Sequence, residues 1–200
     1  MIKPPQILLM DVDGVLVRPD QPFSELHART RTIDLAQLQT FFQGAFREAT
    51  LGRADLKDLI AGHRDVWGWS GDPAELLAAW FEAENQIDFG LLATLQRIRA
   101  TGLPVYLATN QEKYRAAYLR EVMFPDMFDG IFVSCELHAA KPDRHFFELI
   151  IDQLQRERPH LRPEDITFFD DTPSHVAGAR LAGLTADIYT GAGQIEDLSR

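Results

Sequence analysis

Two aspartates, Asp11 and Asp13, stand two residues apart where the apolar run from Ile7 to Met10 ends. Carboxylates this close repel each other unless a metal ion or a shared proton intervenes. A second acidic pair, Asp170-Asp171, follows the apolar run from Ile166 to Phe169, Thr109-Asn110 follows the run from Val105 to Ala108, and Lys141 follows the run that starts at Ile131. These residue types suit phosphoryl transfer. A carboxylate can attack phosphorus to form an aspartyl-phosphate, and Asp11 is the candidate nucleophile. That attack brings two anions together, so a cation must offset the repulsion. Mg²⁺ suits oxygen ligands and is often held by one or two carboxylates plus substrate phosphate. Asp11, a backbone carbonyl near Asp13, and Asp171 would make such a site. Asp13 can protonate the leaving oxygen and later activate water, a role worth ~10² to 10⁴-fold. Thr109 and the amide of Asn110 can donate to phosphoryl oxygens, and Lys141 supplies a fixed positive charge. No Cys/His cluster has zinc spacing.

Each residue alone also has a structural explanation. Asp11 to Gly14 reads as an acidic turn, Thr109 as a helix N-cap, Lys141 as a solvated loop lysine, and Asp170-Asp171 as a cap for a helix starting near Pro173. His138, His145 and His175 read as surface or capping residues. Trp67, Trp69, Trp80 and the phenylalanines at 41, 42 and 46 read as the core of a helical block.

Placement ties the polar residues together. The run from Ile7 to Met10 has no period-2 alternation, as expected of a strand buried on both faces of a parallel sheet. Further strands are expected at 104–108, 130–134, 166–169 and 185–189, with helices between them: one capped by Asp88 and ended by Gly102, one over 114–122, one opened by Lys141-Pro142 and running to Leu154, and one over 173–181. Such alternation means right-handed crossovers and an α/β fold, a parallel sheet with helices on both faces. From Leu16 to Asp88 no buried strand is evident. Apolar residues from Leu35 to Phe46 follow a helix period, and Asp55 and Asp72-Pro73 are start signals. The expected division is a core of 1–17 and 88–200 with an inserted all-helical cap, 18–87. Ligands of open α/β sheets bind beyond the carboxyl ends of the strands, which is where these acids, the threonine and the lysine converge.

The totals set limits. The chain has 200 residues, 46% hydrophobic and 25% charged, with a formal net charge of -10. That charge disfavours nucleic acid and anionic membrane surfaces as partners and makes local cations necessary for a small phosphorylated substrate. The single cysteine, Cys135, fits a reducing compartment. The stretch from Met1 to Pro5 lacks the apolar core of a signal peptide, and no run approaches the ~20 residues of a membrane span. A cytoplasmic location is the expectation, and the oligomeric state is left open.

The residues also resemble a known family. Asp11-Val-Asp-Gly-Val-Leu, Thr109-Asn110, Lys141-Pro142-Asp143 and Phe168-Phe-Asp-Asp-Thr-Pro are similar, in order, to the four motifs of the haloacid dehalogenase-like (HAD) hydrolase superfamily, with Gly178-Ala-Arg-Leu-Ala-Gly183 after the last. The resemblance implies a Rossmann-like core, a helical cap placed as in the C1 type, and Mg²⁺-dependent phosphate-ester hydrolysis with Asp11 as nucleophile and Asp13 as acid/base. In it Asp171 matches the usual direct metal ligand and Asp170 a flanking acidic position. His175 stands where relatives often have Asn, and His138 where many have Gly. Within the family, dehalogenases usually lack the second aspartate of the first motif, so Asp13 favours phosphoryl chemistry. A phosphomutase is the runner-up. A phosphoacceptor receiver domain would carry its acidic pair on the first strand, and a silent binding domain would not need every motif group.

Overall fold

The computed structural model describes residues 5–196 and contains one sheet of five parallel strands. These are β1 (Ile7–Met10), β2 (Val105–Thr109), β3 (Gly130–Val133), β4 (Ile166–Asp170) and β5 (Thr185–Ile188). Their order is β3-β2-β1-β4-β5, so the first strand in sequence lies at the centre. All four residues of β1 are buried. Successive side chains of a strand point to opposite faces. Leu8 and Met10 therefore pack with Leu91, Leu95 and Ile98 of the helix Phe89–Ala100 on one face. Ile7 and Leu9 pack with Phe146, Phe147 and Ile150 of the helix Arg144–Glu157, and with Val176 and Ala179 of the helix Pro173–Leu181, on the other.

Register decides what meets at the carboxyl edge. Met10 lies opposite Leu107 on β2 and Phe169 on β4. The Asp11 amide continues the ladder by donating to the Phe169 carbonyl at 2.9 Å. Asp11, Thr109 and Asp170 thus reach the same edge from three adjacent strands.

Among the described residues, every regular helix or strand between Val17 and Ile87 is helical. Asp34, Asp55 and Asp72 cap three of these helices by accepting from the amides of Ala36, Lys57 and Ala74, which satisfies orphan donors of the first turn. The block has its own aromatic core of Phe23, Phe41, Trp67, Trp80 and Phe81. Truncating a buried aromatic such as Trp67 to Ala costs about 3–5 kcal/mol. The chain leaves and re-enters side by side: Arg18 N donates to Gln86 O and Asp88 N to Leu16 O, each at 2.9 Å.

Several local details differ from the sequence expectations. Lys141-Pro142 does not open a helix: it is a cis peptide in the preceding turn, and the helix begins at Arg144 with Asp143 as its cap. The segment expected as one helix over 114–122 is an α-helix, Lys113–Tyr118, that widens into a π-turn, Leu119–Met123. Ser134 starts a short helix, Ser134–Leu137, instead of closing β3. Gly193–Glu196 form a helical turn anchored by buried Ile195, and residues 197–200 lie outside the described residues. Among the described residues no helix is long and apolar enough to cross a membrane.

Candidate active site

Asp11 is the first residue beyond β1, and its Oδ1 accepts from the following amide, Val12 N, at 2.7 Å. Lys141 Nζ lies 2.6 Å from Asp11 Oδ1 and 2.6 Å from Asp170 Oδ2, with all three side chains withdrawn from solvent. Asp170 ends β4. Its carboxylate also accepts from Thr172 N at 2.8 Å and contacts His175 Nδ1 at 3.0 Å. His175, expected as a surface or capping residue, is therefore a second-row partner of the acidic pair through Asp170.

Lys141 is held by its backbone. The Asn110 side chain donates from Nδ2 to Lys141 O and accepts at Oδ1 from Lys141 N, both at 2.9 Å. Asn110, expected on the substrate side, thus has its amide group committed to the turn that carries Lys141. What it can still offer a phosphoryl group is its backbone N–H. Thr109 is buried at the end of β2, where it is paired in register with Val133.

Electrostatics at this cluster are lopsided, with two buried carboxylates facing one ammonium. Burial drives the Asp11 carboxyl well above the usual carboxylate range. Lys141 opposes that shift and the neighbouring Asp170 reinforces it. Burial pushes Asp170 upward too, but its hydrogen bond with His175 and the Lys141 charge outweigh that, and its pKa falls far below the ordinary value. Lys141 is raised despite its burial, because both carboxylates favour its charged form.

The two carboxylates of this cluster are oxygen donors of the kind a hard divalent cation takes. Ligand atoms of Asp11, Asp170 and His175 all lie within 4.8 Å of one another. Excess buried carboxylate beside one ammonium is the surplus charge that such an ion balances. Asp171, expected as a direct ligand, is not in that group. Its carboxylate rests against Gly14, whose φ of +81° keeps the turn after Asp13 tight, and a Cβ on Gly14 would collide with it. Asp170, expected as the flanking acid, is the one in contact with Lys141. Neighbouring residues at a strand end diverge, so an acidic pair there serves two places: the cluster on β1 and the turn that follows it.

Asp13 stands on the rim, and its carboxylate accepts from the Gln111 side chain. It is exposed to solvent, and desolvation where it borders the protein raises its pKa against the pull of Arg115, Lys141 and Gln111. Beside it opens a cavity of about 240 Å³. Phe42, Phe46, Trp80 and Phe81 of the helical block form one wall, and Gln111 and Arg115 of the sheet domain lie on the other. Gln111 and Arg115 were not marked by the sequence reading. Neither falls at a strand end or in a motif, and no local signal distinguishes Arg115 from an ordinary helix arginine.

Over residues 5–183 the sequence matches the family model of haloacid dehalogenase-like hydrolases. The chain belongs to the haloacid dehalogenase-like hydrolases. This hydrolase is 29% identical over 118 residues to sesquiterpene phosphatase astK of Aspergillus oryzae, across 57% of this chain and 58% of that one. It is 31% identical over 105 residues to a phosphatase of Mycobacterium tuberculosis, across 52% of this chain and 46% of that one. The matched stretch is thus about half the length of these relatives. Its fold is that of a HAD family enzyme from Bacteroides thetaiotaomicron, with a TM-score of 0.79 at 21% identity, covering 99% of this chain and 100% of the other. That enzyme has also been solved in complex with magnesium and inorganic phosphate.

Proposed function

We propose that this hydrolase is a Mg²⁺-dependent phosphatase that cleaves a small phosphate monoester through an aspartyl-phosphate on Asp11. The observation that carries the reading is the buried contact of Lys141 with both Asp11 and Asp170 at the carboxyl edge of β1 and β4. Two relatives named as phosphatases, and a structural neighbour that binds magnesium and phosphate, support it.

In the proposed reaction an Asp11 oxygen attacks phosphorus and the ester P–O bond breaks. Asp13 gives its proton to the departing oxygen. Desolvation raises its pKa, which favours the proton-bearing form this step starts from. Asp13 then takes a proton from water, which attacks the phosphoenzyme; the Asp11–phosphorus bond breaks, releasing inorganic phosphate. Lys141 faces the transferring group with fixed charge, and Thr109 and the Asn110 amide donate to its oxygens. Asp11, the Asp13 carbonyl and Asp171 or Asp170 would hold a Mg²⁺, which when bound would offset the negative charge at the phosphate and help to orient it. Residues 18–87 act as a cap that shields the reaction from water. The small, acidic chain with one buried thiol fits a cytoplasmic setting.

The test is hydrolysis of p-nitrophenyl phosphate by the purified protein. Turnover is expected with Mg²⁺, and its loss is expected in EDTA and in Asp11→Asn. Equal rates in the Asp11→Asn protein would overturn the mechanism.

A further inference from the structure

The cavity beside Asp13 is lined in part by Arg115, whose guanidinium carries an uncompensated donor. Arg115 is 3% exposed, and its Nη2 is a buried nitrogen with no hydrogen-bond partner among the described residues. Its Nη1 reaches only the Phe81 carbonyl, at 3.3 Å. An unpaired buried donor is destabilising, the more so when charged, so an acceptor supplied by a ligand would relieve it.

The acids nearby are already engaged. Glu84 accepts from Phe23 N and Trp80 Nε1, at 2.8 and 2.7 Å. Glu112 accepts from Tyr114 N and Arg115 N, at 2.8 and 2.6 Å. A positively charged leaving group would meet carboxylates already bound by backbone and indole N–H groups. It would also meet the Arg115 guanidinium, which lies 5.2 Å from the Phe81 ring centroid and so holds that cation–π position. The unmet need of the cavity is for an acceptor.

We propose that Arg115 selects phosphate monoesters whose leaving group carries an acidic oxygen acceptor, a carboxylate or equivalent, on a short apolar body that packs against Phe42 and Phe46. This rests on the phosphatase reading and names its substrate class. At about 240 Å³ the cavity is smaller than the ~300–1,000 Å³ typical of drug-sized ligands, so the leaving group is compact. Charge-assisted pairing to guanidinium favours an anionic acceptor over a hydroxyl.

The experiment compares phenyl phosphate with 4-carboxyphenyl phosphate and reads the ratio of their kcat/KM values with Mg²⁺ present. The wild-type protein is expected to prefer the carboxylated ester by about tenfold or more, the equivalent of ~1.4 kcal/mol. In Arg115→Met the ratio is expected to fall toward one. If that variant does not fold, Arg115→Lys, which keeps charge with fewer donors, is expected to lose several-fold of the preference. A wild-type ratio near one, or an unchanged ratio in a folded variant, overturns the Arg115 assignment and leaves the phosphatase reading standing. No hydrolysis of either ester or of p-nitrophenyl phosphate overturns both.

Discussion

The ammonium of Lys141 lies 2.6 Å from the carboxylate of Asp11, both almost wholly removed from solvent. The same nitrogen lies 2.6 Å from Asp170, so one cation separates two buried acids. Removing one member of such a pair leaves uncompensated charge and costs about 3–5 kcal/mol. Lys141→Met is expected to lower the melting temperature and to reduce kcat by ~10² or more, as loss of a charge-stabilising donor does elsewhere. Thermal unfolding and steady-state kinetics on the same preparation check both. Wild-type kcat in the variant would remove Lys141 from the mechanism.

Asn110 fixes Lys141 through two backbone hydrogen bonds of 2.9 Å. Asn110→Ala should free that turn. Small displacements of a reacting group can cost up to ~10²-fold. A fall in kcat with little change in KM is expected. Asn110→Asp keeps only the acceptor, and should retain more activity than Ala if the Lys141 amide is the stronger tether.

Gly14 has φ +81° and packs against the Asp171 carboxylate. Gly14→Ala is strained by its backbone and must also displace that carboxylate. A stability loss above ~1 kcal/mol is expected, since Ala at positive φ destabilises. The Mg²⁺ concentration for half-maximal activity should rise. An unchanged magnesium dependence would show that Asp171 does not support the metal.

Asp55 ties the inserted helices to the sheet domain: its Oδ2 lies 2.7 Å from Lys113 Nζ, and it accepts from Tyr114 Oη at 2.9 Å. Burial pushes its pKa up, but the hydrogen bonds from Lys113, Tyr114 and Lys57 N prevail and hold it down to about 2. The folded pKa is depressed, so this contribution is present above the ordinary carboxylate pKa and is lost as pH falls through about 2. Asp55→Asn should destabilise the protein at pH ~6, and the gap from wild type should close between about pH 4 and pH 2. Asp55→Ala also loses the helix cap and should cost ~1 kcal/mol more or less independently of pH. Urea midpoints across that range are the measurement.

The order of strands and helices was legible in the residues because hydrophobic period is a local property. The runs from Ile7 to Met10, Val105 to Ala108 and Ile166 to Phe169 are apolar without alternation, as strands buried on both faces of a parallel sheet are. The family motifs were legible for the same reason, since Asp11, Thr109, Lys141 and Asp170 follow such runs in one connected order. Ends of elements were less legible: a cis turn at Lys141-Pro142 and a π-turn at Leu119–Met123 depend on what packs around them. What side chains do beyond the strand ends was decided by tertiary structure alone. Asp170 and Asp171 are the same residue type side by side, yet one meets Lys141 and the other Gly14, because successive side chains diverge and different neighbours receive them. The Asn110 side-chain amide is taken up by the Lys141 backbone, and Arg115 reaches the cavity from a helix that carries no motif. Sequence fixes which groups are available at short range along the chain. Which of them share a buried, poorly screened space is a long-range property, and it exists only once the helical block and the sheet close on each other.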